Sequence, residues 1–117
     1  MAFFPAEQMV SDDKEYTTSS SFDGTVKAYI RNGTCFVYTA SVKGGASGNT
    51  YLNACTLDAK YLPARLSTIR VWDTSNSVWV YYGVNTDGTV QAYVYKSGTI
   101  TNSTNTGGAV IAYPCKV

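Results

Sequence analysis

Histidine is absent from the sequence, and with it go the usual general base, the common nucleophile–base triads and most zinc sites. Charge is also scarce: Asp, Glu, Lys and Arg supply 15% of the 117 residues, and the net charge is +1. A nucleic-acid binder needs many phosphate-neutralising bases on one surface, so nucleic acid is not expected as a partner. The charges are uneven, with five acids and one base in residues 1–23 against three acids and eight bases in the remainder. Those eight bases (Lys27, Arg31, Lys43, Lys60, Arg65, Arg70, Lys96 and Lys116) are scattered, as on an ordinary solvated surface.

Carboxylates are few where they would matter. After residue 23 there are only Asp58, Asp73 and Asp87, whereas glycoside hydrolysis needs two acids held at a set separation. Asp73 and Asp87 each begin a turn, which already gives them a structural role. No acid-rich loop offers the converging oxygens that calcium requires, so neither a metal nor a cofactor is expected, and the protein reads as a non-enzyme. Cysteine is limited to Cys35, Cys55 and Cys115, compatible with one disulfide or with three free thiols. No run approaches the ~20 apolar residues of a membrane helix. Met1-Ala2-Phe3-Phe4-Pro5 is too short and too weakly charged for a signal peptide. A soluble protein without membrane insertion or an export signal is therefore expected.

Tyr, Thr, Ser and Asn stand where the charges are missing, a composition that favours strands and turns over surface helices. Residues 1–21 differ from the rest and read as an arm or connector, with a short helix expected around Ala6 to Val10. From Phe22 onward the pattern is β. Val26, Ala28 and Ile30 alternate with Lys27, Tyr29 and Arg31, the two-residue period of a strand with unlike faces. Asn32-Gly33 is a hairpin turn signal, and the return strand is expected over residues 34–42. Glycine-rich residues 43–49 lack the ending of a phosphate loop. Further strands are expected over residues 51–57, 66–72, 78–84, 89–95, 99–105 and 109–113. Turns at 73–77, 85–88 and 96–98 and a Leu62-Pro63 corner separate them. This spacing predicts an all-β domain over residues 22–117, an antiparallel β-sandwich or jelly-roll-like barrel of roughly eight or nine short strands. The octapeptide Asp23-Gly24-Thr25-Val26-Lys27-Ala28-Tyr29-Ile30 returns as Asp87-Gly88-Thr89-Val90-Gln91-Ala92-Tyr93-Val94, which reads as one turn-and-strand design written twice.

The aromatics carry the functional signal. If Val78, Val80, Tyr82 and Val84 face the core, alternation sends Trp79 and Tyr81 to the other side. The same argument turns Tyr93 and Tyr95 outward, gives Tyr29 that outward register and extends to Trp72. Rings with polar tips are enriched at interfaces and stack on the apolar faces of sugars. Three placements are open for these six residues: cover by another layer of the protein, a subunit interface, or a ligand-facing platform.

The hairpin Ala28-Tyr29-Ile30-Arg31-Asn32-Gly33-Thr34-Cys35-Phe36-Val37, the corner Tyr61-Leu62-Pro63-Ala64, the turn-strand Asp87-Gly88-Thr89-Val90 and the closing Ala112-Tyr113-Pro114 come in an order that resembles the C-terminal receptor-binding or head domains of bacteriophage tail-fibre and baseplate proteins. The resemblance covers residues 22–114. Where that family usually has a Leu-Pro-x-Gly-Tyr-Arg-Pro-like corner, this chain has Tyr61-Leu62-Pro63-Ala64-Arg65-Leu66. The resemblance implies a homotrimer of β-sandwich heads that bind a host surface saccharide or protein, with residues 1–21 as an attachment arm to another virion protein. It also implies a virion component assembled in the bacterial cytoplasm, with cysteines mostly reduced. No binding residue is inherited from the family. A structural virion protein, for capsid decoration or tail assembly, and a bacterial carbohydrate-binding module are the alternatives.

Overall fold

The computed structural model describes residues 13–116. The expected helix around Ala6 to Val10 and the apolar tip Phe3-Phe4-Pro5 lie outside these residues. Within them the chain forms strands β1 (Lys14–Thr17), β2 (Phe22–Asp23), β3 (Thr25–Arg31), β4 (Thr34–Tyr38), β5 (Ser41–Val42), β6 (Tyr51–Thr56), β7 (Ser67–Asp73), β8 (Val78–Val84), β9 (Thr89–Val94) and β10 (Val110–Pro114), with one 3₁₀ turn at Ala59–Tyr61. The first sheet has the order β1-β3-β4-β10, the second β6-β9-β8-β7, and β2 pairs with β5 beside them. All named pairings are antiparallel. The architecture is an all-β sandwich.

Alternation explains which faces meet. In the first sheet Val26, Ala28, Cys35, Val37, Ile111 and Tyr113 point inward. They share one buried cluster with Val80, Tyr82, Val84, Val90, Ala92 and Val94 of the second sheet. Fully burying a Val or Leu side chain stabilises by about 1.5–3 kcal/mol, so the valine-rich face of the second sheet against the mixed apolar face of the first holds the layers together. The Asn32-Gly33 turn has φ of 53° and 77°, the doubly left-handed geometry of a tight hairpin whose twist matches its strands.

Parts of the chain differ from the sequence expectation. Residues 14–17, within the expected arm, pair with β3 as an edge strand. The return strand divides at Thr39-Ala40, so that β4 joins the first sheet while β5 pairs with β2. Residues 99–105 form only an isolated bridge, Ser47 with Thr99. Their backbone is satisfied by loops instead: Ile100 N–H donates to Ala46 O and Thr104 N–H to Val42 O, while Asn102 N–H donates to the Asn76 side chain.

A buried hydroxyl fastens this irregular region to the core. The Tyr82 O–H donates to Ala40 O at 2.9 Å and shares a second hydrogen bond with Thr106 Oγ1. Burial raises the phenol's pKa above its ordinary value, so it remains a donor through the neutral range. Tyr82→Phe should keep the ring packing and lower the unfolding free energy by about 1–2 kcal/mol. Urea denaturation would check this, and an unchanged midpoint would mean the hydroxyl contributes nothing net.

Candidate binding face

The second sheet turns its other side to solvent, and that side is built of aromatic rows. Across it, Tyr51, Tyr93, Tyr81 and Arg70 stand opposite one another on β6, β9, β8 and β7. In the next row Trp79 faces Trp72, and Tyr95 joins them through an N–H bond to Trp79 O of 3.0 Å. Ring centroids lie 4.9 Å apart for Tyr51–Tyr93, 4.7 Å for Tyr93–Tyr95, 5.0 Å for Tyr81–Tyr95 and 5.2 Å for Trp72–Trp79. The Tyr81–Tyr95 and Trp72–Trp79 pairs meet edge to face and the others are tilted, arrangements that suit the ring quadrupoles.

These rings are not core. Trp72 is 45% exposed, Trp79 40%, Tyr95 50% and Tyr51 68%, while Tyr81 and Tyr93 are half-buried between them. The Arg70 guanidinium lies 4.4 Å from the Trp79 ring centroid. Among the described residues no carboxylate pairs with it. Desolvation, and then the neighbouring phenols, raise the Tyr95 pKa, which keeps that hydroxyl a neutral donor. The face thus offers flat apolar surface with hydroxyl tips and one cation.

Its third row changes character. Asn53, Gln91, Gly83 and Thr68 are aligned there, and Gly83, which has no side chain, is buried between its neighbours. This row borders a hollow of about 210 Å³ whose lining includes Tyr51, Leu66, Thr68, Tyr81, Gly83 and Gln91.

Five of the six aromatic residues anticipated from alternation therefore lie together on this face: Trp72, Trp79, Tyr81, Tyr93 and Tyr95. Tyr29 does not. It points outward from the first sheet, with its ring centroid 5.1 Å from Phe36 and 5.7 Å from Tyr38. Arg31 sits 4.8 Å from the Tyr29 ring centroid and bonds Asp13 at 3.0 Å. The hydrogen bond with Tyr38 is the main cause that raises the Tyr29 pKa. Tyr51, Phe36 and Tyr38 were missed in the sequence, although each occupies an outward position that strand alternation could have flagged.

The remaining reactive groups are dispersed. Asp58 pairs with Lys14 at 2.7 Å on the surface, and Asp87 accepts the Thr89 N–H within its turn. Cys35 is buried, and its thiol reaches the Tyr61 carbonyl at 3.8 Å. Burial pushes the Cys55 thiol up to about 11. Among the described residues no three His, Cys, Asp or Glu side chains gather as a metal-holding group.

The two sheets define the class. The chain has the fold of a phage receptor-binding head domain. One solved neighbour is the head domain of the lactococcal phage bIL170, which shares 15% sequence identity over 88% of this chain and 96% of that one, with a TM-score of 0.63. At that identity the likeness is one of fold. No protein-family model matches the chain, and no curated protein does.

Proposed function

We propose that the protein is a non-enzymatic adhesion head of a bacteriophage particle, which forms a homotrimer and attaches to a saccharide on the host surface. The observation that carries this reading is the solvent-exposed aromatic face of the β6-β9-β8-β7 sheet, on a fold like that of a phage receptor-binding head. Tyrosine and tryptophan give large contact area at low entropic cost and stack against the apolar faces of sugar rings. The few dispersed carboxylates and the absence of histidine favour adhesion over catalysis.

The outward cluster of Tyr29, Phe36 and Tyr38 lies on the other sheet, which leaves it for contact between subunits. Residues 1–21 would connect the head to another virion protein, with β1 as the part fixed to the domain.

Light scattering on a sizing column should give three times the 12.6 kDa chain mass. The labelled trimer should bind bacterial saccharides on a glycan array. A clean monomer would remove the trimer from this reading, and a trimer that binds a capsid or tail protein but no saccharide or host cell would make it a structural virion component.

A further inference from the structure

Gly83 occupies a position where the strand does not need glycine. Its φ is not among the positive values, and it sits inside β8 in line with outward Trp79 and Tyr81. Glycine weakens a strand interior and often marks the close approach of a ligand or another backbone. A Cβ placed there would lie 3.3 Å from Thr68 Cγ2, 3.5 Å from Leu66 Cδ1 and 3.6 Å from Ser67 O. All three atoms belong to β7 or the residue before it, and Gly83 itself is buried beside them. The hollow of about 210 Å³ falls below the roughly 300–1,000 Å³ that drug-sized ligands take, and suits a single ring.

The polar chemistry beside the hollow is specific. Gln91 Nε2 donates to Asn53 Oδ1 at 3.2 Å. That bond leaves the Gln91 carbonyl oxygen and hydrogens of the Asn53 amide without a side-chain partner among the described residues. An acceptor and a donor are therefore presented side by side. Turning both amides end for end preserves the pair, so donor and acceptor stand side by side in either orientation. A secondary amide supplies the matching N–H and C=O together, whereas a sugar hydroxyl supplies one short group.

We propose that the Gly83 hollow and the Gln91–Asn53 pair form a subsite for one acetamido-bearing sugar ring. This rests on the reading that the aromatic face binds a host saccharide. The acetamido N–H donates to Gln91 Oε1 and its carbonyl accepts from Asn53 Nδ2. Its methyl group enters the hollow against the Thr68 methyl and Leu66, and the ring packs on the tyrosines at the margin. A peptide amide has the same polar pair. The open aromatic rows, however, offer stacking planes rather than pockets for successive side chains, which favours the sugar.

The full chain should be titrated with N,N′-diacetylchitobiose and, in parallel, cellobiose, with binding followed by backbone-amide NMR. Two added hydrogen bonds should make the acetamido disaccharide bind at least about tenfold more tightly, with the largest shifts at Thr68, Gly83 and Gln91. Gln91→Leu should abolish that preference, and Gly83→Val should fill the hollow with the same effect; since the leucine variant leaves the backbone of β8 untouched, the test survives misfolding of the valine variant. Equal binding of the two disaccharides, or shifts confined elsewhere, would overturn the subsite. Glycan-array binding measured on the same sample separates the two levels: retained saccharide binding without an acetamido preference defeats the subsite alone, and loss of all saccharide binding defeats the adhesion reading. Attachment to cells that disappears after protease treatment of those cells would make the receptor a protein and overturn both.

Discussion

A Trp79→Ala, Tyr93→Ala double variant should lose about a thousandfold in affinity for the host saccharide while keeping its sandwich fold. Buried aromatic anchors at binding surfaces commonly cost 2 kcal/mol or more on truncation, roughly, and about 1.4 kcal/mol is a factor of ten. Trp79 holds the middle of the row formed with Trp72 and Tyr95, and Tyr93 touches both Tyr51 and Tyr95. Removing these two breaks both rows at their centres. The cost to the fold should be small, since Trp79 is 40% exposed and cross-strand pairs contribute only about 0.2–1 kcal/mol. Binding by calorimetry together with thermal melting distinguishes the outcomes. Unchanged affinity would remove the aromatic face from the function, and an unfolded variant would show that the rings are structural.

The largest stability loss is expected at Asp73. Its side chain is fully buried at the end of β7. Oδ1 accepts from Ser75 N–H at 3.3 Å, from the Ser75 hydroxyl at 2.8 Å and from Asn105 N–H at 2.9 Å. Oδ2 accepts from Asn76 N–H at 3.2 Å and from the Asn76 amide at 2.7 Å. Burial works to raise the carboxyl's pKa. The bonds from Asn105, Asn76 and Ser75 outweigh it and leave the group below the usual carboxylate range. Asp73→Ala should lower stability by about 3 kcal/mol, because several partly buried bonds to one buried acceptor are lost together. A domain of this size should then melt roughly 10 °C lower. With the folded pKa depressed, the contribution is present above the unfolded value of about 3.9 and is lost as pH falls through the folded one. The stability gap between the wild type and Asp73→Asn should therefore narrow as the pH drops below about 4. A gap independent of pH would mean that ionised Asp73 is not what ties these loops.

Asp73 also shows why part of the fold was hidden in the sequence. Residues 99–105 carry the Thr and Ile of a strand, and no local feature announces that Asp73 and Asn76, far away along the chain, bond their backbone. Strands β8 and β9 were legible because valines at alternate positions leave little choice of face. The repeated octapeptide shows the limit of that rule. Gly24 and Gly88 share nearly the same φ, 89° and 93°, and each leads into a strand with inward Val and Ala. Yet Tyr29 and Tyr93 emerge on opposite sides of the molecule, because alternation fixes the face of a strand but not the sheet it joins. The same rule passed over Gly83. Its signal was there to read, since a glycine at an outward position follows two aromatic residues in the same register.

Strand order also bears on how the molecule comes together in time. The β6-β9-β8-β7 sheet is drawn from one continuous stretch, residues 51–94, and its hairpins can zip from neighbouring turns. The other sheet pairs Tyr38 with Val110, so its last ladder closes a far longer loop, and non-local pairing of this kind is slow. On a ribosome the second sheet has its whole sequence in hand while the first still waits for β10. During the wait the valines of that early sheet face a first layer of β1, β3 and β4 that still lacks β10. Ile111 and Tyr113 complete that cover only when β10 arrives, and until then the uncovered edge is where aggregation is a risk.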